Sequence, residues 1–100
     1  MYTINTSVFA FLAGFSISTY DVTSRSIYVR WSKVTGAMSY KITTSPYLSL
    51  GQSSFAVFNP ATVIGTINTL LPNTNYTVIV EAMDKDGSTM AHAQTLQLTG

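Results

Sequence analysis

The sequence predicts an all-β fold, a sandwich of seven short antiparallel strands arranged in two facing sheets. Apolar residues recur with a period of two, and turn residues separate these runs at roughly ten-residue intervals. No window of a dozen residues carries the apolar stripe of a helix. In addition, residues 70–82 have the pattern of a tyrosine corner, a motif of β-sandwiches.

The first half of the chain contains three predicted strands. The first includes Ile17, Thr19 and Val22 and is broken near residues 23–25. The second covers residues 27–32 and is half-buried, because its apolar and polar positions alternate. Its inward set is Ile27, Val29 and Trp31. The third has its alternate positions at Tyr40, Ile42 and Thr44, and it ends at Pro46.

We predict that residues 47–60 form an irregular connection that crosses the sandwich, because Gly51, three serines and Pro60 interrupt the alternation. A further strand around Val63, Gly65 and Ile67 leads to Leu70.

The tyrosine corner begins at the turn built on Pro72 and Asn73. The strand that follows has one face formed by Tyr76, Val78, Val80 and Ala82. We expect the Tyr76 ring to lie in the core and its hydroxyl to bond to upstream backbone. Asp84–Ser88 is then a strong turn signal, and Ala93, Leu96 and Leu98 mark a last strand.

The predicted core contains three large rings and the apolar residues that flank them. Its anchors are Trp31, Tyr40, Leu70 and Tyr76. The flanking residues are Ile27, Val29, Ile42, Ile67, Val78, Val80, Leu96 and Leu98.

Length and composition indicate one domain with little charge. The chain has 100 residues, of which 9% are charged, against roughly 25% in average globular proteins. The net charge of +1 and the absence of cysteine give no case for nucleic acid, disulfides or thiolate metal sites. No apolar run reaches the roughly 18 residues of a membrane span, so we expect no membrane insertion.

We divide the chain into an N-terminal extension or linker, residues 1–14, and a domain, residues 15–99. Residues 8–15 are apolar, but no basic residue precedes them. A signal remnant, a linker and an early edge strand remain alternatives for this segment.

The candidate catalytic groups are few. His92 is the only histidine, and Asp84 and Asp86 share one turn with Lys85 between them. A turn provides no cleft for paired carboxylates, so a solvated turn is expected. A weak metal site joining His92 to these aspartates is the alternative to an exposed strand histidine. We predict no enzyme, no metal and no cofactor, since no phosphate-binding loop occurs either.

The spacing of Trp31, Tyr40 and Tyr76 resembles that of a fibronectin type III domain over residues 15–99. The matching segments are Ile27–Trp31, Ser39–Ile42 and Leu70–Ala82. The usual proline-rich entry to the first strand is missing, and residues 1–14 have no counterpart in the family. The resemblance implies a seven-stranded, immunoglobulin-like sandwich with fibronectin type III topology.

The resemblance also implies where partners dock. One expected surface is the loop before the last strand, which runs from Asp84 to Met90 and whose candidate contact residues are Asp84, Lys85, Asp86, Gly87 and Ser88. In the family, partners also dock on the loop between the second and third strands. No Arg-Gly-Asp occurs, so integrin binding of that kind is not expected. The outer sheet face around Lys41 and Ile79 is the second, with Tyr47, Leu48 and Leu50 as candidate neighbours. Scattered surface apolar residues, or a neighbouring domain packed on that face, are the alternative explanations.

The expected role is a non-catalytic interaction module of a larger extracellular or cell-surface protein. A passive spacer repeat, or an accessory domain of a secreted enzyme, is the alternative. The partner is an unidentified protein or a neighbouring repeat of the same chain, and a monomer is the default. Asn5-Thr6-Ser7 and Asn75-Tyr76-Thr77 fit the N-glycosylation pattern and favour an extracellular setting, although a cytoplasmic one stays open.

Overall fold

The computed structural model describes residues 15–100 and contains seven strands in this part of the chain. They are β1 (Ile17–Tyr20), β2 (Ile27–Trp31), β3 (Ser39–Ser45), β4 (Phe55–Val57), β5 (Ile64–Ile67), β6 (Asn75–Met83) and β7 (Thr89–Leu98). The predictions made for residues 1–14 lie outside the described residues.

The strands form two antiparallel sheets with the order β1-β2-β5 and β4-β3-β6-β7. In the smaller sheet, Ile17 pairs with Trp31 and Ile27 pairs with Ile67. In the larger sheet, β6 lies between β3 and β7, with Ile42 opposite Val80. The expected all-β sandwich is confirmed. Among residues 15–100, no helical segment has the length and hydrophobicity needed to cross a bilayer.

The core follows the period of two that the sequence predicts for β2, β3 and β6. In each strand the inward positions are buried and the positions between them are more exposed. The Trp31 and Tyr40 rings meet across the two sheets with centroids 5.4 Å apart and planes tilted by 48°, a favourable geometry for aromatic pairs. The fully buried set includes Ile27, Val29, Tyr40, Ile42, Ile67, Leu70, Tyr76, Val78, Val80 and Ala82.

Two tyrosine hydroxyls accept hydrogen bonds from backbone N–H groups of residues that precede them in the sequence. The N–H of Leu71 donates to the Tyr76 hydroxyl at 2.9 Å, as expected for the tyrosine corner. The N–H of Val34 donates to the Tyr40 hydroxyl at 3.0 Å, an arrangement that the sequence did not predict. Each ring therefore lies in the core while its hydroxyl fixes the start of a loop.

Residues 47–60 are not wholly irregular, because they contain β4 at the edge of the larger sheet. The Phe55 ring reaches β5 at Gly65, where a Cβ atom would lie only 2.7 Å from Phe55 Cζ. The glycine thus lets the aromatic ring close this side of the sandwich. Three residues are too few for alternation to reveal a strand, so the sequence did not identify β4.

The prediction that Leu96 and Leu98 belong to the core is wrong. Both point outward from β7, with 72% and 52% of their surface exposed. The inward positions are Ala91, Ala93, Thr95 and Gln97. The Gln97 amide oxygen accepts a hydrogen bond from the Thr19 hydroxyl of β1. At this edge the sheets are therefore joined by small and polar side chains.

Thr99 and Gly100 form hydrogen bonds with the tyrosine corner and with the β1–β2 loop. The buried Thr99 hydroxyl donates to the carbonyl of Leu71 at 2.6 Å and accepts from the N–H of Thr74 at 3.0 Å. The N–H of Gly100 donates to the Thr23 carbonyl at 3.1 Å. The last residues of the chain thus join the corner to the β1–β2 loop.

Candidate functional site

The turn between β6 and β7 is held by the carboxylate of Asp84. One Asp84 oxygen, Oδ1, accepts the N–H groups of Asp86 and Ser88, each at 2.9 Å. The N–H of Gly87 donates to the Asp84 carbonyl at 3.1 Å, and Gly87 has a φ of +82°. Asp84 therefore shapes the turn, while residues 85–88 are exposed to solvent.

The loop between β2 and β3 packs beside this turn. The N–H of Met38 donates to the Met83 carbonyl at 2.8 Å. The Met90 methyl group lies 3.3 Å from the point where a Cβ atom on Gly36 would stand. The Tyr40 hydroxyl, by bonding Val34, supports the loop from the core side. The two connections therefore form one continuous surface at this end of the sandwich.

We call this the loop surface, and it combines both charge signs with apolar side chains. Its exposed members are Lys33, Thr35, Met38, Lys85, Asp86, Gly87, Ser88 and Met90. The predicted turn residues are thus joined by Met90, which ends the same predicted loop, and by Met38, which the sequence did not single out. Their flexible thioether side chains suit adaptable contacts. The contact between Met90 and Gly36 spans more than fifty residues of sequence, so no local pattern could reveal it.

The outer face of the larger sheet begins next to the loop surface. Its first row contains Lys41, Glu81 and His92, and the next contains Thr43, Ile79 and Gln94. Lys41 is exposed, whereas Ile79 is half-buried between its neighbours. The structure therefore places these two predicted residues on one face, in adjacent rows.

His92 lies opposite Glu81 in the register and not beside the aspartates of the turn. Within residues 15–100, no group of three histidine, cysteine, aspartate or glutamate side chains could hold a metal ion. The Asp84 carboxylate, meanwhile, already accepts two backbone N–H groups.

The candidate neighbours of Ile79 lie at the far end of β3. Tyr47, Leu48 and Leu50 follow Ser45, which pairs with Thr77, whereas the loop surface adjoins Ser39. Their loop is organised by the buried Gln52, whose amide accepts the N–H of Leu48 at 3.0 Å and donates to the Pro46 carbonyl at 3.2 Å. Leu50 is fully exposed on it. This loop is thus a separate apolar feature.

Asn75 is exposed at the start of β6, directly opposite Leu98. It is at the opposite end of β6 from the loop surface. The other predicted acceptor, Asn5, lies outside the described residues.

Comparisons with known proteins agree with this architecture. The family profile described as "Fibronectin type III domain" matches residues 13–97. A two-domain fibronectin type III segment of chicken tenascin superposes with a TM-score of 0.71 at 19% identity, covering 84% of this chain and 47% of that one. The chain thus spans about half of the tenascin segment.

Two further solved structures are similar. The FN5 domain of Drosophila Lar has a TM-score of 0.63 at 21% identity, with 84% of this chain and 90% of that one covered. A chitinase from Bacillus thuringiensis has a TM-score of 0.67 at 25% identity, with 84% of this chain but only 12% of the chitinase covered.

Proposed function

The chain belongs to the fibronectin type III family, and on that premise we propose that it is a non-catalytic protein-interaction module of a larger extracellular or cell-surface protein. Domains of this family are modules of larger proteins and are common in extracellular ones. The proposal includes parent proteins of the adhesion, receptor and matrix types. The single observation that carries the proposal is the loop surface.

The loop surface suits binding because its backbone is already ordered. The Asp84 carboxylate and the Tyr40 hydroxyl each hold one of its two connections. A loop fixed in advance loses less conformational entropy when a partner binds, so more of the contact energy appears as affinity. Lys85 and Asp86 then offer charged contacts, and Met38 and Met90 offer apolar ones.

A protein is the partner that this surface fits. Its two lysines and one aspartate form a mixed pattern without the concentrated positive charge that nucleic acids or anionic membranes require. Neighbouring repeats of the same parent chain are included among the partners. The outer face around Lys41 and Ile79 extends the loop surface without a break, so one partner can cover both.

Binding of the labelled whole chain to intact cells, measured by flow cytometry, tests this proposal. Lys85→Ser and Met90→Thr should each weaken binding, because they alter the loop surface. Arg25→Ser is the matched control, because it removes an equal charge from the opposite end of the sandwich. Equal binding by all three variants contradicts a role for the loop surface. Absence of binding by the unaltered chain instead favours a spacer repeat.

A second candidate function is that of an accessory domain in a secreted enzyme. The similarity to 12% of a bacterial chitinase is the observation that favours it. In that role the catalytic residues lie in another domain of the parent protein. Sequencing the parent gene distinguishes the candidates, since a neighbouring catalytic domain supports the accessory role and further repeats support the interaction module.

A further inference from the structure

Two leucines lie exposed on the outer face of the larger sheet, at the end away from the loop surface. Leu96 stands opposite Thr77, and Leu98 stands opposite Asn75. Exposed apolar residues that adjoin one another on one face can mark a contact site. β7 contains no lysine, arginine, aspartate or glutamate, so such residues do not protect this edge strand as they commonly do.

The same rows of the sheet contain an acceptor for N-glycosylation. Asn75 and Thr77 are the first and third residues of Asn-Tyr-Thr, and Tyr76 between them is buried. Because side chains alternate along a strand, Asn75 and Thr77 both face outward. The Asn75 amide is exposed, and no hydrogen bond among residues 15–100 occupies it.

We propose that Asn75 carries an N-linked glycan whose first N-acetylglucosamine covers Leu98 and Leu96. The inference rests on the extracellular setting in the proposed function, because the modification occurs in the secretory pathway. Asn75 Nδ2 attacks C1 of a lipid-diphosphate-linked oligosaccharide. The N–C1 bond forms as the C1–O bond breaks, the lipid diphosphate leaves, and the amide nitrogen loses a proton.

The register explains why the glycan is the occupant. Side chains directly opposite in an antiparallel pair have Cβ atoms about 4.5–5.5 Å apart, and diagonal neighbours lie about 7–8 Å apart. A sugar on Asn75 is therefore tethered beside Leu98 and one diagonal step from Leu96. Its apolar C–H face can cover the leucines while its hydroxyls face water.

The location also keeps the glycan away from the proposed binding surface. From Asn75 to Met83, β6 advances eight residues, and at about 3.4 Å per residue this separates the two ends by about 27 Å. The glycan thus covers the apolar end of the face and leaves the loop surface free.

Occupancy is tested by secreting the whole chain from a eukaryotic cell and measuring its intact mass. The site at Asn75 predicts a glycan that Asn75→Gln and Thr77→Ala both abolish and that Thr77→Ser retains. All variants also carry Asn5→Gln, so that any glycan detected by mass is attached to Asn75. An unmodified chain overturns the proposal.

Coverage of the leucines is tested by comparing two enzymatic treatments on a hydrophobic-interaction column. An endoglycosidase leaves one N-acetylglucosamine on Asn75, whereas a peptide N-glycosidase removes the whole glycan and leaves an aspartate. We expect retention to increase only after complete removal, and not in the Leu96→Thr/Leu98→Thr variant. Equal retention after both treatments overturns coverage by the first sugar. Coverage is also overturned if the glycosylated chain forms a dimer and the Leu96→Thr/Leu98→Thr variant does not.

This test is independent of the binding assay. Loss of cell binding in the loop-surface variants with an unmodified Asn75 supports the interaction module and refutes the glycan. A glycosylated Asn75 in a chain that binds no cells supports the glycan and refutes the interaction module.

Discussion

The Tyr76 hydroxyl accepts the backbone N–H of Leu71 at 2.9 Å, across the turn that joins the two sheets. The carbonyl of Leu71 in turn accepts the Thr99 hydroxyl at 2.6 Å. The backbone N–H and the backbone carbonyl of Leu71 are thus both held by side chains, the first by Tyr76 of β6 and the second by Thr99. This corner therefore ties the centre of the larger sheet to the C-terminus.

Replacing Tyr76 by Phe should destabilise the fold by about 1–3 kcal/mol, because the Leu71 N–H loses its acceptor while the ring stays in place. Urea unfolding monitored by Trp31 fluorescence gives the free energy of unfolding. Tyr28→Phe is the matched control, since Tyr28 is 37% exposed. Equal costs for the two changes would show that the hydroxyl of the corner contributes no stability.

The inner faces of β2, β3 and β6 could be predicted because their alternation is strong. Val29, Tyr40 and Val78, for example, each lie between polar or less buried neighbours. A residue that alternates in this way has only one orientation that removes its apolar surface from water.

The same reasoning gave the wrong face for β7. Leu96 and Leu98 are the most apolar side chains of their strand, so a rule based on hydrophobicity turns them inward. At this edge of the sandwich the inward side chains are instead the smaller Ala93 and Thr95, together with Gln97, which accepts a hydrogen bond from the Thr19 hydroxyl. What decides orientation there is the neighbouring sheet, which the local sequence does not describe.

The candidate site was predictable only in part. Lys85 to Ser88 could be located from turn chemistry, because Gly87 needs a positive φ. Met38, and the contact of Met90 with Gly36, could not, since both depend on the packing of the β2–β3 loop against the β6–β7 turn.

Gly65→Ala should destabilise the fold by about 1–3 kcal/mol through overpacking. The new Cβ atom would lie 2.7 Å from Cζ of Phe55 and 3.6 Å from Cη2 of Trp31. Phe55→Leu in the same chain should recover part of this loss, because the shorter side chain frees the space. A double-mutant cycle on urea unfolding measures the coupling. Strictly additive costs would show that the Phe55 ring is not the obstacle.

Gly87→Ala should cost about 1–2 kcal/mol from the left-handed backbone alone. Apart from Gly87 and its two chain neighbours, no atom of residues 15–100 lies within 4 Å of the added Cβ, so we expect no clash with another part of the described domain. Gly87→Asn should cost less, because asparagine adopts this conformation more readily than alanine. Thermal unfolding of both variants measures the difference. An alanine variant as stable as the asparagine variant would mean that the turn relaxes to another conformation.

Gln52→Leu should destabilise the fold by about 1–3 kcal/mol, because it leaves buried polar groups without partners. The Leu48 N–H, the Pro46 carbonyl and the Thr44 hydroxyl each bond to the Gln52 amide. Exchange of the Leu48 amide proton should also accelerate, since that N–H becomes free. Gln94→Leu, at an exposed position of β7, is the matched control and should stay within about 0.5 kcal/mol of the unaltered chain. If Leu48 exchanges at the same rate in both variants, then Gln52 does not hold the loop that presents Leu50.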